Sequence, residues 1–191
     1  MDRDVETPLK PEVARRLRAG DAVYLTGTIF TARDRAYTRV AVKGIKGLPV
    51  DIVGSTIYHC GPIVRKSGKD WQVIAAGPTT SSRMSDLMPA FMRKVRPVAI
   101  IGKGGFDTKG LRAMSRHGCV YLAMTGGTAA LAADMVTSVE GCHWEDLGMA
   151  EAVWELRVKD FGPLVVAVDS AGNNLYRQVE ESTRKRLKKA I

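Results

Sequence analysis

Cysteine is scarce in this chain. Cys60, Cys119 and Cys142 are an odd number, widely spaced, and no Cys-x-x-Cys pair occurs. A disulfide framework is not expected, and neither is a self-contained zinc or iron–sulfur site. No apolar run approaches the length of a membrane span, about 18 residues. The first residues, Met1-Asp2-Arg3-Asp4-Val5-Glu6, carry charge and no apolar signal core, so secretion is not expected and the cytoplasm is the default location. A dinucleotide glycine fingerprint is missing, and no paired carboxylates or Ser/His/Asp set assembles. Aromatic residues make up only 6%. No aromatic-basic signature, zinc finger or helix-turn-helix pattern accompanies the positive charge.

What remains fits one soluble-type domain over residues 1–191, with 45% apolar and 26% charged residues. The net charge of +9 is partly terminal: Arg184-Lys185-Arg186 and Lys188-Lys189 contribute five of the 29 basic residues. Such a run reads as a solvated helix face. A basic nucleic-acid-binding module using it is the alternative from another class, predicting binding that falls steeply with salt. Nucleic acid and membrane are not the expected partners; an anionic substrate or an acidic subunit explains the excess equally well.

The pattern predicts a loose arm over Met1–Pro8, a helical turn at Pro11–Arg18, a strand Ala22–Phe30 and a helix Asp34–Lys43. A glycine-rich loop, Lys43–Pro49, follows. Gly61–Arg65 and Trp71–Ala75 read as a hairpin. Ser82–Val95 carries Met84, Leu87, Met88, Phe91, Met92 and Val95 at helical spacing, as a core-facing stripe. Strand Val98–Ile101, helix Thr108–His117, strand Cys119–Met124 and helix Thr128–Met135 then alternate, the signature of parallel strands. A second hairpin is expected from Ala152–Val158 and Leu164–Val168, and a helix from Leu175–Ala190. The expected class is α/β, mixed sheets with a parallel βαβ centre and two hairpins.

Three segments carry chemistry. Thr31-Ala32-Arg33-Asp34 leaves a strand and enters a helix, where Asp34 is placed to cap the first turn. Gly77-Pro78-Thr79-Thr80-Ser81-Ser82-Arg83 sets four hydroxyls before a helix, more than capping needs, and reads as an anion cradle with Arg83 one turn in. Gly102-Lys103-Gly104-Gly105 follows a strand directly, so the main chain can approach a ligand while the ammonium bonds it. It is not a Walker loop, whose Lys precedes Ser or Thr. Thr125-Gly126-Gly127-Thr128 repeats the theme without a cation. Two Arg forks and a Lys at strand ends suit a small polyanion, most simply a dicarboxylate. His59 is the one histidine near these segments and reads as structural, and Cys60 as a small residue at a strand end.

In this order the segments resemble the β subunit of class I (iron–sulfur) fumarate hydratases and of the related L-tartrate dehydratases. The likeness runs over nearly the whole chain. It includes Leu17-Arg18-Ala19-Gly20-Asp21, Thr31-Ala32-Arg33-Asp34, Tyr58-His59-Cys60-Gly61-Pro62, Gly77-Pro78-Thr79-Thr80, Ser82-Arg83-Met84, Ile101-Gly102-Lys103-Gly104-Gly105 and Val158-Lys159-Asp160-Phe161. The resemblance implies a swivelling β/β/α domain and reversible hydration of fumarate to L-malate, with L-tartrate dehydration as the alternative. It implies a [4Fe–4S] cluster on an α partner rather than on this chain, acting as Lewis acid on the substrate hydroxyl and a carboxylate. An α2β2 hetero-oligomer is expected. Carried over by position, Arg33, Arg83 and Lys103 match carboxylate-binding residues, Gly104 lies in the same substrate loop, and Thr79 matches the residue proposed to take the C3 proton. Thr79 and Lys103 are thus the expected catalytic pair. Family members usually read Ala-Arg-Asp-x-Ala-His, whereas here Tyr37 follows Ala36.

Overall fold

The computed structural model describes residues 2–42 and 52–190. The chain runs β1 (Asp2–Thr7), α1 (Pro11–Ala14), β2 (Ala22–Thr31), α2 (Asp34–Ala41), β3 (Thr56–Tyr58), β4 (Ile63–Ser67) and β5 (Asp70–Ala75). A 3₁₀ turn at Ser81–Met84 leads to α3 (Met88–Val95), β6 (Ala99–Gly102), α4 (Thr108–Arg116), β7 (Val120–Ala123), α5 (Ala129–Asp134) and β8 (Val136–His143). After a second 3₁₀ turn, Glu145–Leu147, come β9 (Val153–Val168) and α6 (Leu175–Ala190).

The expected parallel centre is present: β2, β3, β6 and β7 pair in parallel, with helices between them. β9 then runs antiparallel to both β7 and β2, which closes a ring of five strands, β2-β3-β6-β7-β9. Strand period 2 sorts the side chains into two cores. Tyr58, Ile101 and Leu122 point inside with Leu25, Leu156 and Phe161. Their neighbours Ile57, Ile100 and Tyr121 point outward against Tyr37, Met88, Phe91 and Met114 of the helical layer. Met84, Met88, Phe91, Met92 and Val95 of the predicted stripe are buried there, and Leu87 is half-buried against them.

Four expectations change. Residues 2–7 are not a loose arm: β1 pairs in parallel with β2 from Asp2↔Ala22 to Thr7↔Gly27. Its charged alternation disguises an edge strand. The second hairpin does not form, because Val153–Val168 is one strand of 16 residues. Asp160, at φ 50°, and two register shifts bend it without reversing it, so it stays paired along β2. β9 instead takes β8 as its antiparallel neighbour. The helix expected over Ser82–Val95 breaks between Met84 and Met88. Pro89 stands in the first turn of α3, and its ring would clash with the carbonyl of Ser85 in a continuous helix. The helical turn at Pro11–Arg18 shortens to α1. The glycine-rich loop Lys43–Pro49 lies outside the described residues.

Candidate active site

Because β2, β3, β6 and β7 are parallel, their C-terminal ends share one rim. The register Thr31↔Tyr58, Tyr58↔Ile101 and Gly102↔Ala123 levels those ends. Just beyond them lie Arg33, His59-Cys60-Gly61, Lys103-Gly104 and Thr125-Gly126-Gly127. The C-terminal ends of parallel strands are where both open α/β sheets and closed barrels bind ligands.

Residues 77–81 wedge between two of these ends. Thr79 N donates to His59 O at 2.6 Å, Lys103 N donates to Thr79 O at 3.3 Å and Ser81 N donates to Lys103 O at 3.1 Å. Thr79 is thereby held beside Lys103 by backbone bonds. The anion cradle expected of this segment is revised: the N–H groups of Thr79 and Ser81 are spent on neighbouring strands. Ser81 is fully buried, and Thr80 caps the 3₁₀ turn with no side-chain bond. Gly102 is required here, since a Cβ on it would overlap the Ser81 hydroxyl.

The arginines meet at Asp34. Arg83 Nη2 donates to Asp34 Oδ2 at 2.7 Å, and Arg33 Nε lies 3.5 Å from the same oxygen. Asp34 is the first residue of α2 rather than its cap, and Arg33 occupies the cap position without a side-chain bond. Arg33 Nε is also 2.9 Å from Glu151 Oε1, yet its N–H has no aligned acceptor among the described residues. The guanidinium lies over Gly61, where a Cβ would sit 2.5 Å from Arg33 Nη1. Arg83 is half-exposed, at 51% of its side chain.

Lys103 forms no ion pair among the described residues. Its Nζ runs 3.8 Å from the point where a Gly126 Cβ would stand, so the Thr125–Thr128 turn lines the same place. Gly104 adopts φ 66°, a left-handed conformation that suits glycine. Its carbonyl accepts a 2.7 Å bond from Tyr176 Oη at the start of α6. A groove of about 660 Å³ opens beside this loop, lined in part by Thr80, Ser82, Gly104 and Tyr176.

Sequence reasoning missed the layer beneath. His59 is buried, with Nδ1 2.8 Å from Ser81 Oγ and Nε2 2.7 Å from Tyr37 Oη. Tyr121 Oη donates to Ser81 Oγ at 2.9 Å. Burial pushes His59 down to about 3, so the ring is neutral, one nitrogen donating and the other accepting. Burial also raises Tyr37 and Tyr121, keeping both phenols protonated. Tyr37, where the resemblance expects histidine, is thus the partner of a histidine, and it stacks on Phe91 with centroids 3.8 Å apart. The juxtaposed Tyr58-His59-Cys60 at a strand end was the available signal.

The cysteines do not fit an iron–sulfur cluster. They stand apart, Cys60 past the end of β3, Cys119 before β7 and Cys142 within β8, and a cluster needs several thiolates converging on one point. Among the described residues no three His, Cys, Asp or Glu side chains converge as a metal site. No described helix is long and apolar enough to cross a membrane.

Comparison with known proteins gives one family model, described as "Fumarase C-terminus", which matches residues 2–179. A Methanocaldococcus jannaschii protein, provisionally named L(+)-tartrate dehydratase subunit beta, is 44% identical over 93% of this chain and 92% of its own length. The L(+)-tartrate dehydratase subunit beta of Escherichia coli K12 is 39% identical over 93% of this chain and 88% of its own. A Geobacillus stearothermophilus protein, provisionally named class I fumarate hydratase, is 41% identical over 96% of this chain but only 35% of its own length.

Proposed function

This chain belongs to the fumarase C-terminus family, and we propose that it is the β subunit of a two-component hydro-lyase acting on a four-carbon hydroxy-dicarboxylate. The observation that carries this reading is the rim itself: Thr79 is bonded through the backbone to Lys103 and His59, Arg33 lies over Gly61 just past β3, and Arg33 and Arg83 meet at Asp34. Arg33 already faces the carboxylates of Glu151 and Asp34, so a substrate carboxylate would share its guanidinium with them. L-Tartrate is the first substrate reading, because the relatives that match this chain over most of their own length are named for it. Malate and fumarate form the second, favoured by the class I fumarate hydratase relative. This order reverses the one the sequence motifs alone suggest.

In the proposed reaction, Arg33 and Arg83 bind one substrate carboxylate and Lys103 the other end, with Gly104 letting the main chain approach. Thr79 takes the C3 proton as its alkoxide and becomes a hydroxyl again, while the proton it gave up on forming the alkoxide leaves with the C2 hydroxyl as water. An alkoxide is costly to form, and the Lys103 ammonium beside it lowers that cost. Tartrate then yields the enol of oxaloacetate, and malate yields fumarate. A [4Fe–4S] cluster held by the α partner would supply Lewis acidity toward the leaving hydroxyl. We keep the single swivelling domain, the α2β2 assembly and a cytoplasmic site of action as parts of the same proposal. The test is turnover by the reconstituted complex on both substrates: oxaloacetate from L-tartrate at higher kcat/KM than fumarate from L-malate is expected. The opposite ratio makes malate the substrate, and no turnover of either refutes the reading.

A further inference from the structure

We infer that the buried chain Tyr121–Ser81–His59–Tyr37 is a positioning clamp that sets the candidate site residues relative to one another. Every member is fully buried, and the chain touches each segment that carries one of those residues. Tyr37 sits in the first turn of α2, and its backbone N–H donates to Arg33 O at 2.9 Å. His59 continues β3, and its carbonyl holds the Thr79 N–H at 2.6 Å. Ser81 ends the wedged segment, two residues from Thr79 and two from Arg83, and its N–H is held by the Lys103 carbonyl. Tyr121, on β7, anchors the far end.

The neutral imidazole is suited to this task. A rigid planar ring with a polar atom on each side fixes the distance between the Ser81 and Tyr37 hydroxyls. Its depressed pKa means the bridge carries no charge to compete with the arginines for a carboxylate. The chain does not act as a proton relay to solvent, because no member reaches the surface. It acts through Arg33, Thr79 and Lys103, so its members are positioning residues. Partners of this kind commonly change activity by about 10- to 100-fold when removed, and misplacement by about 1 Å suffices for a loss near the top of that range.

This inference rests on the proposed dicarboxylate site, and two readouts separate them. Tyr37→Phe keeps the ring and its stack on Phe91 and removes one hydroxyl. Ser81→Ala cuts the chain at its other side, should the first variant fold poorly. In the complex with the α partner, assayed well below Tm, each variant is expected to raise KM for the dicarboxylate and lower kcat/KM by about 10-fold or more. In the chain alone, the backbone amide resonances of Thr79 and Lys103 should move in Tyr37→Phe, although residue 37 bonds neither. If both variants keep KM and kcat within about twofold of the parent while Tm falls, the chain is structural only and the clamp is overturned. If the parent complex turns over neither dicarboxylate, the functional reading fails and the amide shifts decide the clamp: movement supports it, and unmoved resonances overturn it.

Discussion

Thr79→Val keeps the shape of the side chain and removes its hydroxyl, so a base at this position should lose kcat far more than it gains KM. It should also lose exchange of the substrate C3 proton with solvent deuterium, read by NMR; retained exchange would move the base elsewhere. Arg33→Ala and Lys103→Ala should instead raise KM and lower kcat/KM, since each strips a carboxylate of a charge-assisted bond worth about 2–5 kcal/mol when desolvated. Arg83, half-exposed and shared with Asp34, should cost less, about 1 kcal/mol. His59 governs stability toward acid. Its folded pKa of about 3 lies below the ordinary 6.5, so the unfolded chain binds a proton that the folded chain refuses. Stability is therefore full above about pH 6.5 and falls as pH drops, by about 2 kcal/mol at about pH 5. Urea midpoints across that interval should show the loss, and His59→Asn should flatten it. The cations were legible in the sequence because Arg and Lys flank glycine and hydroxyl runs at strand ends. The inward turn of Ser81 was not: a serine facing a core histidine and one facing a ligand look alike in a row of four hydroxyls.

The elements succeeded where punctuation and period agreed. β6, α4, β7 and α5 emerged because glycines separate short β-branched runs from helical ones. β9 was obscured because Asp160, Gly162 and Pro163 are turn residues, and only the partner strand β2 decides that they bend rather than reverse. β3, with three residues, gives no periodic signal at all. The wedge of residues 77–81 is the element on which the site depends, and Gly102 is its tightest constraint. Gly102→Ala would drive a Cβ into Ser81 Oγ, next to backbone bonds that hold Thr79 and Lys103. We expect destabilisation of about 1–3 kcal/mol, as for overpacking, with a larger loss of kcat/KM than of folded protein. Denaturant titration beside kinetics would check it; equal losses in both would mean that the wedge has no special link to the site. The first turn of α6 also belongs to this region through Tyr176 and Gly104. Tyr176→Phe should loosen the Lys103-Gly104 loop and raise KM modestly, whereas a purely solvated terminal helix would leave the kinetics unchanged.

For the whole molecule, the five-strand ring and its helical layer build one rim with cations and a candidate base, but no set of cluster ligands among the described residues. The family was legible from the ordered motifs, because they run over nearly the full chain; the ring closure was not, since it depends on the long-range pairing of β9 with β2. Arg184, Lys185, Arg186 and Lys188 of α6 are exposed and serve neither core. The most direct measurement is anaerobic turnover of L-tartrate and L-malate by this chain alone, by the α partner alone and by the two together. A folded but inactive chain, an inactive partner, and hydro-lyase activity only on mixing are expected. Turnover by this chain alone, with no partner and no metal added, would contradict the two-component reading.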